Sequence, residues 1–396
     1  MNLAFCGTTA LRVLRACRSG MIGGSVSLEE RTDLMPPTPG NGRVRFTPSL
    51  LDGLSIGGWA VPRDRALEVA VPSRGRRVQM EGLSSTVFAS SIPSASFISL
   101  GDGFQLSCPE LLFIEMAQVM PFTNLLLFGY ELCGSYSRDP LDPHDGSVSY
   151  WVPPATSIEQ IGSYLERCHN LRGMSAAREA LEFICDNAWS PMEALVAALA
   201  SIPPEMLGYG LGPLTLNKRV PVSEASNATE NRIPDILFGD GKAGLNYDGG
   251  GHLDLGSIAS AAFETASRPY EGGAAEVLES AVDSVRRKYV DDRRRDRELV
   301  ASGHPTLVVT HEDLVERRGL DRVMSLVMDM LEQGGENKLA RQRTALDTNL
   351  LVRERQDLIW SMLPGVIGVN ARKRMIRRRH EQERRRSVIQ VDYQLI

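Results

Sequence analysis

The stretch IPDILFGDGKAGLNYDGGGH, residues 233–252, decides how the second half of the chain is interpreted. Two apolar runs flank a glycine-rich turn, and this pattern is typical of two paired β-strands. Asp235 lies in the first run, Asn246 and Asp248 lie in the second, and His252 lies just past it. Two carboxylates and a histidine placed in this way suggest a metal site, although Asn246 brings an amide where a carboxylate would bind a cation better.

The chemistry of such a site follows from the residue types. Mg²⁺ binds hard oxygen ligands, usually one or two carboxylates together with waters and substrate phosphate. Neighbouring strands lie about 4.8 Å apart, so Asp235 and Asp248 could share one ion, with the amide oxygen of Asn246 as a further ligand. His252 could transfer a proton near neutral pH. Glu193, in the first turn of an upstream helix, could hold a metal-bound water.

The same residues also have a purely structural interpretation. Asp-Gly and Gly-Gly-Gly are common turn elements, so Asp248 could cap a loop while Asp235 pairs with an arginine. Glu193 completes the capping pattern Ser-Pro-Met-Glu that begins at Ser190, and His252 could be incidental. Residue types and spacing alone leave the metal site and the ordinary hairpin both open.

The distribution of charge indicates a partner. The 396 residues carry a net charge of -5, yet residues 371–387 contain nine Arg or Lys and two Glu, which gives 9 - 2 = +7. The remaining residues therefore sum to -5 - 7 = -12. A basic tail on an acidic body predicts a polyanionic partner such as DNA, or self-association into a homo-oligomer.

Cysteine usage and hydropathy predict a cytoplasmic protein. Six cysteines show no CxxC pair, as expected for reduced thiols. The N-terminus lacks the basic start and long apolar run of a signal peptide. The most apolar stretch, 111–134, is interrupted by Glu115, Pro121 and Glu131, so we expect no membrane span.

The order of predicted elements indicates an α/β fold. Residues 4–18 have the apolar spacing of a short helix, and residues 21–100 predict small strands and loops. Farther on, helices and strands alternate as in a mixed α/β unit. We therefore predict four parts: an α+β N-terminal module (1–137), a linker (138–157), a mixed sheet flanked by helices (158–332) and a basic helical tail (333–396).

Residues 186–332 resemble the PD-(D/E)XK restriction-endonuclease-like superfamily, in particular the branch related to the very-short-patch-repair endonuclease and its small uncharacterised homologues. Glu193 matches the glutamate of the first helix of that branch, and Pro234-Asp235 matches its P-D on a strand. NYDGGGH, residues 246–252, matches a pattern like E-x-D-G-x-x-H. A helix of the form D-x-x-R-x-x-x-L before a glycine and a strand is matched by Asp292, Arg295, Leu299, Gly303 and TLVVT.

The resemblance implies a restriction-endonuclease-like mixed sheet and Mg²⁺-dependent (or Mn²⁺-dependent) cleavage of DNA in a bacterial cytoplasm. It implies that Asp235 and Asp248 bind the ion, that Glu193 positions a water and that His252 assists proton transfer. Two departures weaken this expectation. Asn246 stands where many relatives carry Glu, and Asp248 stands at the position of the lysine in the superfamily name.

An alternative function follows from these departures. The chain could keep the nuclease fold and bind DNA, or act as an antitoxin-like regulator, without cutting. Residues 1–137 resemble the regions that precede such domains in AbiE-type antitoxin-like bacterial proteins, where they would form a small regulatory or DNA-contacting module. A third possibility is a protein-interaction module whose tail mediates assembly.

Overall fold

The computed structural model is a mixed α/β protein with a helical C-terminal region, and this confirms the predicted fold class. The chain divides into two compact units, Met1–Ala198 and Leu199–Ile396. The predicted linker, residues 138–157, lies inside the first unit. The residues that the structure describes are 2–22, 27–37, 66–78, 82–88, 92–101, 103–223, 229–239, 241–249, 263, 274–332 and 338–393.

The first unit combines a mixed sheet with helices. Its strands are β1 (Leu3–Phe5), β2 (Arg31–Thr32), β3 (Leu67–Val71), β4 (Leu83–Val87), β5 (Phe97–Gly101), β6 (Phe104–Ser107), β7 (Tyr136–Arg138) and β8 (Val148–Tyr150). Its helices are α1 (Gly7–Arg18), α2 (Pro109–Met116), α3 (Phe122–Leu132), α4 (Ile158–Arg167) and α5 (Met174–Leu181), with a 3-10 turn at Arg74–Arg76; α6 (Pro191–Ser201) follows. Among the described residues, six strands form one sheet in the order β2-β5-β6-β1-β3-β4, and β7 pairs with β8.

The helix predicted over residues 4–18 is correct only from Gly7 onward. Leu3–Phe5 forms a strand instead, which pairs parallel with β6 and antiparallel with β3. Gly7 has φ +57°, a left-handed conformation that glycine adopts without steric cost and that turns the chain sharply from strand to helix. The helix then buries its apolar side, including Leu11 and Leu14, in the core.

Two carboxylates accept hydrogen bonds from the first residues of α1. The backbone N–H of Gly7 donates to Glu115 Oε2 at 2.8 Å, and the N–H and hydroxyl of Thr8 both donate to Glu68 Oε2. Ser107 Oγ donates to the other oxygen of Glu115 at 2.8 Å. These bonds satisfy helix N–H groups that have no partner within the helix. Burial nevertheless raises the pKa of Glu115 to about 8, against the lowering effect of its bonds from Gly7 and Ser107.

A second buried glutamate of this unit has the opposite environment. Glu131, 2% exposed, accepts bonds from Arg15 Nε at 2.9 Å and Arg15 Nη2 at 2.7 Å. The backbone N–H of Arg138 donates to the same carboxylate at 3.0 Å. Burial alone would raise the pKa of Glu131, but the paired Arg15 guanidinium outweighs burial and holds that pKa below its usual range.

The most apolar stretch, 111–134, lies within α2 and α3, and Pro121 separates the two helices. Both helices bury most of their side chains in the core of the unit. Among the described residues, none of the helices combines the length and the apolar character needed to span a bilayer.

The second unit is built on a smaller mixed sheet followed by helices. Its strands are β9 (Leu214–Leu216), β10 (Val220–Ser223), β11 (Thr229–Arg232), β12 (Ile236–Phe238), β13 (Ala243–Asp248) and β14 (Thr306–Thr310). Its helices are α7 (Ala274–Ala301), α8 (His311–Val315), α9 (Gly319–Leu331), α10 (Ala340–Asp347), α11 (Asn349–Met362) and α12 (Gly365–Tyr393), with a 3-10 turn at Pro204–Met206. Over the described residues the sheet order is β14-β13-β12-β9, and β10 pairs with β11.

The strand pair predicted around the glycine-rich turn is confirmed. β12 and β13 are antiparallel, with Ile236 opposite Leu245 and Phe238 opposite Ala243. Gly239 and Gly241 have φ +55° and +84°, so both supply left-handed conformations to the turn. β14 pairs parallel with β13, and the long connection between these strands contains α7, as a parallel crossover requires.

A buried arginine holds the helices after β14 to the loop that precedes β9. Arg355, 1% exposed, donates to Asp321 Oδ1 at 2.7 Å and stacks over the ring of Tyr209 with 4.5 Å between guanidinium carbon and ring centroid. The hydroxyl of Tyr209 donates to the same Asp321 oxygen at 2.8 Å. Charge pairing and stacking thus fix α9 and α11 against one segment of this unit.

Candidate functional site

The centre of the candidate site is a reciprocal pair of hydrogen bonds between β13 and the residue before β12. The backbone N–H of Asp235 donates to Asn246 Oδ1 at 3.2 Å, and the backbone N–H of Tyr247 donates to Asp235 Oδ2 at 2.6 Å. On the other side, the N–H of Asn217 donates to the backbone oxygen of Asp235 at 3.0 Å. Asp235 is therefore held between both neighbouring segments of the sheet.

The register places two of the predicted residues on one face of the sheet. Asn246 and Asp248 share a face because alternate residues of a strand point the same way. The β12–β13 pairing ends at Ile236 opposite Leu245, and Asp235 directly precedes it. Asp248 pairs with Thr310 of β14. The hydrogen bonds bring Asp235 to Asn246 and Tyr247, and an ion shared by Asp235 and Asp248 stays a prediction.

The amide of Asn246 has a fixed orientation. Asn246 is 3% exposed, and its oxygen accepts the bond from Asp235. Exchanging its oxygen and nitrogen would set two donors against each other, so the NH₂ group must face the other way. Within the described residues, Nδ2 is buried and has no hydrogen-bond partner. The unused group at position 246 is therefore a donor, and an NH₂ donor cannot bind a cation.

Helix α7 packs over the same face of the sheet. Leu299 belongs to a buried apolar cluster with Leu237, whose opposite residue, Gly244, lies two positions before Asn246. Arg295 and Asp296 precede Leu299 by about one helical turn.

In the described part of the chain, three buried side-chain atoms of α7 and β13 have no hydrogen-bond partner. Arg295 Nε and Asp296 Oδ1, like Asn246 Nδ2, are buried and make no hydrogen bond within the described part of the chain. Arg295 pairs through its Nη2 with Asp292 of the same helix at 3.4 Å. The motif comparison does not single out Asp296. Its position three residues before the buried Leu299 is the signal that could have done so.

Glu193 lies in the first turn of α6, in the first unit. Its backbone N–H donates to Ser190 Oγ at 3.1 Å, and its carboxylate accepts from the backbone N–H of Trp189 at 3.1 Å. The cap predicted from the Ser-Pro-Met-Glu spacing is thus present, with Trp189 in place of Ser190 as the second donor. Asp235 and Asp248 belong to the second unit, and the role of Glu193 beside them stays a prediction. His252 lies outside the described residues.

The donors predicted for a hard cation are Asp235, Asp248 and the amide oxygen of Asn246. Two carboxylates are within what Mg²⁺ requires when waters and phosphate complete its shell. The oxygen of Asn246 is already engaged, and its free group is a donor. In the ranges that the structure describes, no three His, Cys, Asp or Glu side chains are grouped so that they could hold a metal ion.

Comparison of the chain with protein-family models, with curated proteins and with solved structures found no match.

Proposed function

We propose that this chain acts on DNA through a nuclease-like site whose capacity for metal-dependent hydrolysis is weakened. The supporting observation is the reciprocal bonding of Asp235 with Asn246 and Tyr247, which lie on the strand that also carries Asp248. In this proposal the two carboxylates form the site, and the charge that it lacks is the one at position 246.

In this proposal Asp235 and Asp248 hold Mg²⁺ or Mn²⁺. The ion would neutralise charge on the phosphate and lower the pKa of the attacking water. The backbone N–H of Tyr247 donates to Asp235 Oδ2 and thereby orients the carboxylate. Water positioning by Glu193 and proton transfer by His252 stay predictions that rest on the resemblance. None of the six cysteines forms a disulfide, which suits a reducing compartment such as the cytoplasm.

A second candidate is a regulator that binds DNA without cutting it. The fixed amide of Asn246 favours this candidate, because a buried donor beside Asp235 competes with the binding of a cation. Both candidates share DNA as the partner. A plasmid-nicking assay with Mg²⁺ or Mn²⁺, run beside a DNA-binding titration, separates them: binding without nicking supports the second. Absence of DNA affinity at low salt would contradict both and favour a protein-interaction module.

Restoring the charge at position 246 is expected to strengthen the site. Asn246→Asp keeps an oxygen for the Asp235 N–H and adds a carboxylate, and Asn246→Glu adds the same charge on a longer side chain. We expect either variant to raise Mn²⁺ affinity about tenfold, close to 1.4 kcal/mol, and to increase nicking. Isothermal titration with Mn²⁺ and plasmid nicking measure the two effects.

Asn231→Asp is the matched control for this pair, since it adds the same charge at an exposed position of β11. It is expected to leave Mn²⁺ affinity unchanged. Equal Mn²⁺ affinity in the natural protein and both variants at position 246 would mean that this residue has no part in a cation site.

A further inference from the structure

Helix α12 carries the basic run, and one of its sides packs against α11. Ala371 is 0% exposed, and Arg372 Nη1 donates to the backbone oxygens of Ser361 at 2.9 Å and Leu363 at 3.3 Å. These contacts fix the rotation of α12 about its own axis at the beginning of the basic run.

A single buried carboxylate on α11 directs two further arginines to the same side. Asp357 is 5% exposed, accepts a hydrogen bond from Arg378 and lies 3.7 Å from Arg374 Nη2. The Arg374 guanidinium carbon also lies 5.6 Å from the centroid of the Trp360 ring. Asp357 therefore partly neutralises the charges of Arg374 and Arg378.

The opposite side of α12 has a different character. Lys373 and Arg377 are exposed, and neither has a hydrogen bond or ion pair among the residues that the structure describes. At 100° per residue, they lie roughly 120–160° around the helix from the buried Ala371. Four residues apart, they form one stripe with a spacing of about 6 Å along the axis.

We propose that the stripe of Lys373 and Arg377 is the surface of α12 that contacts the phosphate backbone of double-stranded DNA, and that Asp357 holds the helix in the rotation that presents it. The inference rests on the proposed function, which makes DNA the partner. It also assigns different roles to the two stripes: the arginines at positions 374 and 378 anchor the helix, whereas the side chains at 373 and 377 bind phosphate.

Charge favours a polyanion for this surface. The described side chains of α12 include one carboxylate, Glu381, and a basic set consisting of Arg372, Lys373, Arg374, Arg377, Arg378 and Arg379. A lipid surface would require a continuous apolar face beside these charges. The exposed large apolar side chains described on α12 form two pairs, Val366 with Ile367 and Met375 with Ile376, which are separated by eight residues or about 12 Å. Two separate pairs at that spacing do not form a continuous apolar face.

The test compares two double variants of the full chain that remove the same charge from neighbouring stripes. Lys373→Gln with Arg377→Gln changes the exposed stripe, and Arg374→Gln with Arg378→Gln changes the anchored one. Affinity for a labelled short DNA duplex is measured by fluorescence anisotropy across a potassium chloride series. Each phosphate contact contributes about 0.9 to the slope of log affinity against log salt.

The exposed-stripe variant is expected to lower that slope by about 2 and to bind more weakly at low salt. The anchored-stripe variant is expected to change the slope by less than about 1 while amide exchange in residues 365–381 becomes faster. Hydrogen exchange thereby reports the anchoring role, which loss of phosphate contacts would not affect.

Several outcomes would overturn the inference. If the natural protein binds DNA but both double variants lower the slope equally, the stripe is not the contact surface, although DNA remains the partner. If the exposed-stripe variant loses binding to phosphatidylserine vesicles and not to DNA, the surface is a lipid surface. If the natural protein binds no DNA at low salt, the inference falls together with the proposed function.

Discussion

Asp235→Ala is expected to reduce plasmid nicking more than any other single change at the candidate site. Substitution of groups that merely support metal ligands costs roughly 10–100-fold in affinity or activity, so loss of a ligand is expected to exceed about 100-fold. The assay is nicking of supercoiled plasmid with Mn²⁺, run in the natural protein and again in the Asn246→Glu background, where the starting activity is expected to be higher.

Asp235→Asn separates the charge of this side chain from its structural role. The Asp235 carboxylate accepts the Tyr247 N–H, and an asparagine oxygen can accept the same bond. A ligand role predicts that Asn is as inactive as Ala, while the sheet keeps its stability. Nicking that persists in Asp235→Asn, or in both variants, would show that hydrolysis does not pass through this carboxylate.

The second large effect concerns stability and pH. Glu115 has a pKa raised from the ordinary value of 4.5 to about 8, chiefly by burial. Between these values the folded first unit binds a proton that the unfolded chain has released. Its stability is therefore expected to fall as pH rises from about 4.5 to about 8, by roughly 3–5 kcal/mol in total, and to level off on both sides. Glu115→Gln is expected to remove most of this slope.

Glu131→Gln is the matched control, because Glu131 is equally buried but paired with Arg15. Its pKa is lowered, so its contribution is lost only when pH falls below the usual carboxylate range. We expect Glu131→Gln to destabilise the unit at every pH of the series without changing the slope. The readout is the urea concentration at which peptides from residues 3–18 lose protection from hydrogen exchange. A natural protein whose stability rises between pH 5 and 8 would contradict the Glu115 assignment.

Local sequence signals predicted the parts of the fold that short-range chemistry determines. The strand pair of β12 and β13 follows from alternating apolar runs around glycines, and the cap at Glu193 follows from the Ser-Pro-Met-Glu spacing. The strand Leu3–Phe5 was not predicted, because three apolar residues directly before a helix look like a continuation of that helix. Only the pairing of these residues with β3 and β6 makes them a strand. The conformation of such short segments is determined by pairing with strands that are distant in the sequence.

The candidate site shows the same limit. Spacing predicted that Asp235 would approach β13, and the hydrogen bonds to Asn246 and Tyr247 show that it does, whereas its sharing of an ion with Asp248 stays a prediction. The orientation of the Asn246 amide depends on a bond from the residue before β12, and the position of Asp296 depends on how α7 packs over the sheet. The anchoring of α12 likewise depends on Asp357, which precedes Arg374 by 17 residues and Arg378 by 21. None of these contacts can be inferred from composition or periodicity.

The bond between the Tyr247 amide and the Asp235 carboxylate also provides a spectroscopic reporter. An amide that donates to a carboxylate changes its chemical shift when that carboxylate gains a proton or a cation, and the 2.6 Å separation places the two groups in direct contact. Selective ¹⁵N-tyrosine labelling would give nine backbone signals from this chain, few enough to assign by substitution. The signal of Tyr247 would then follow occupancy at Asp235 directly, in the absence of DNA and of any turnover.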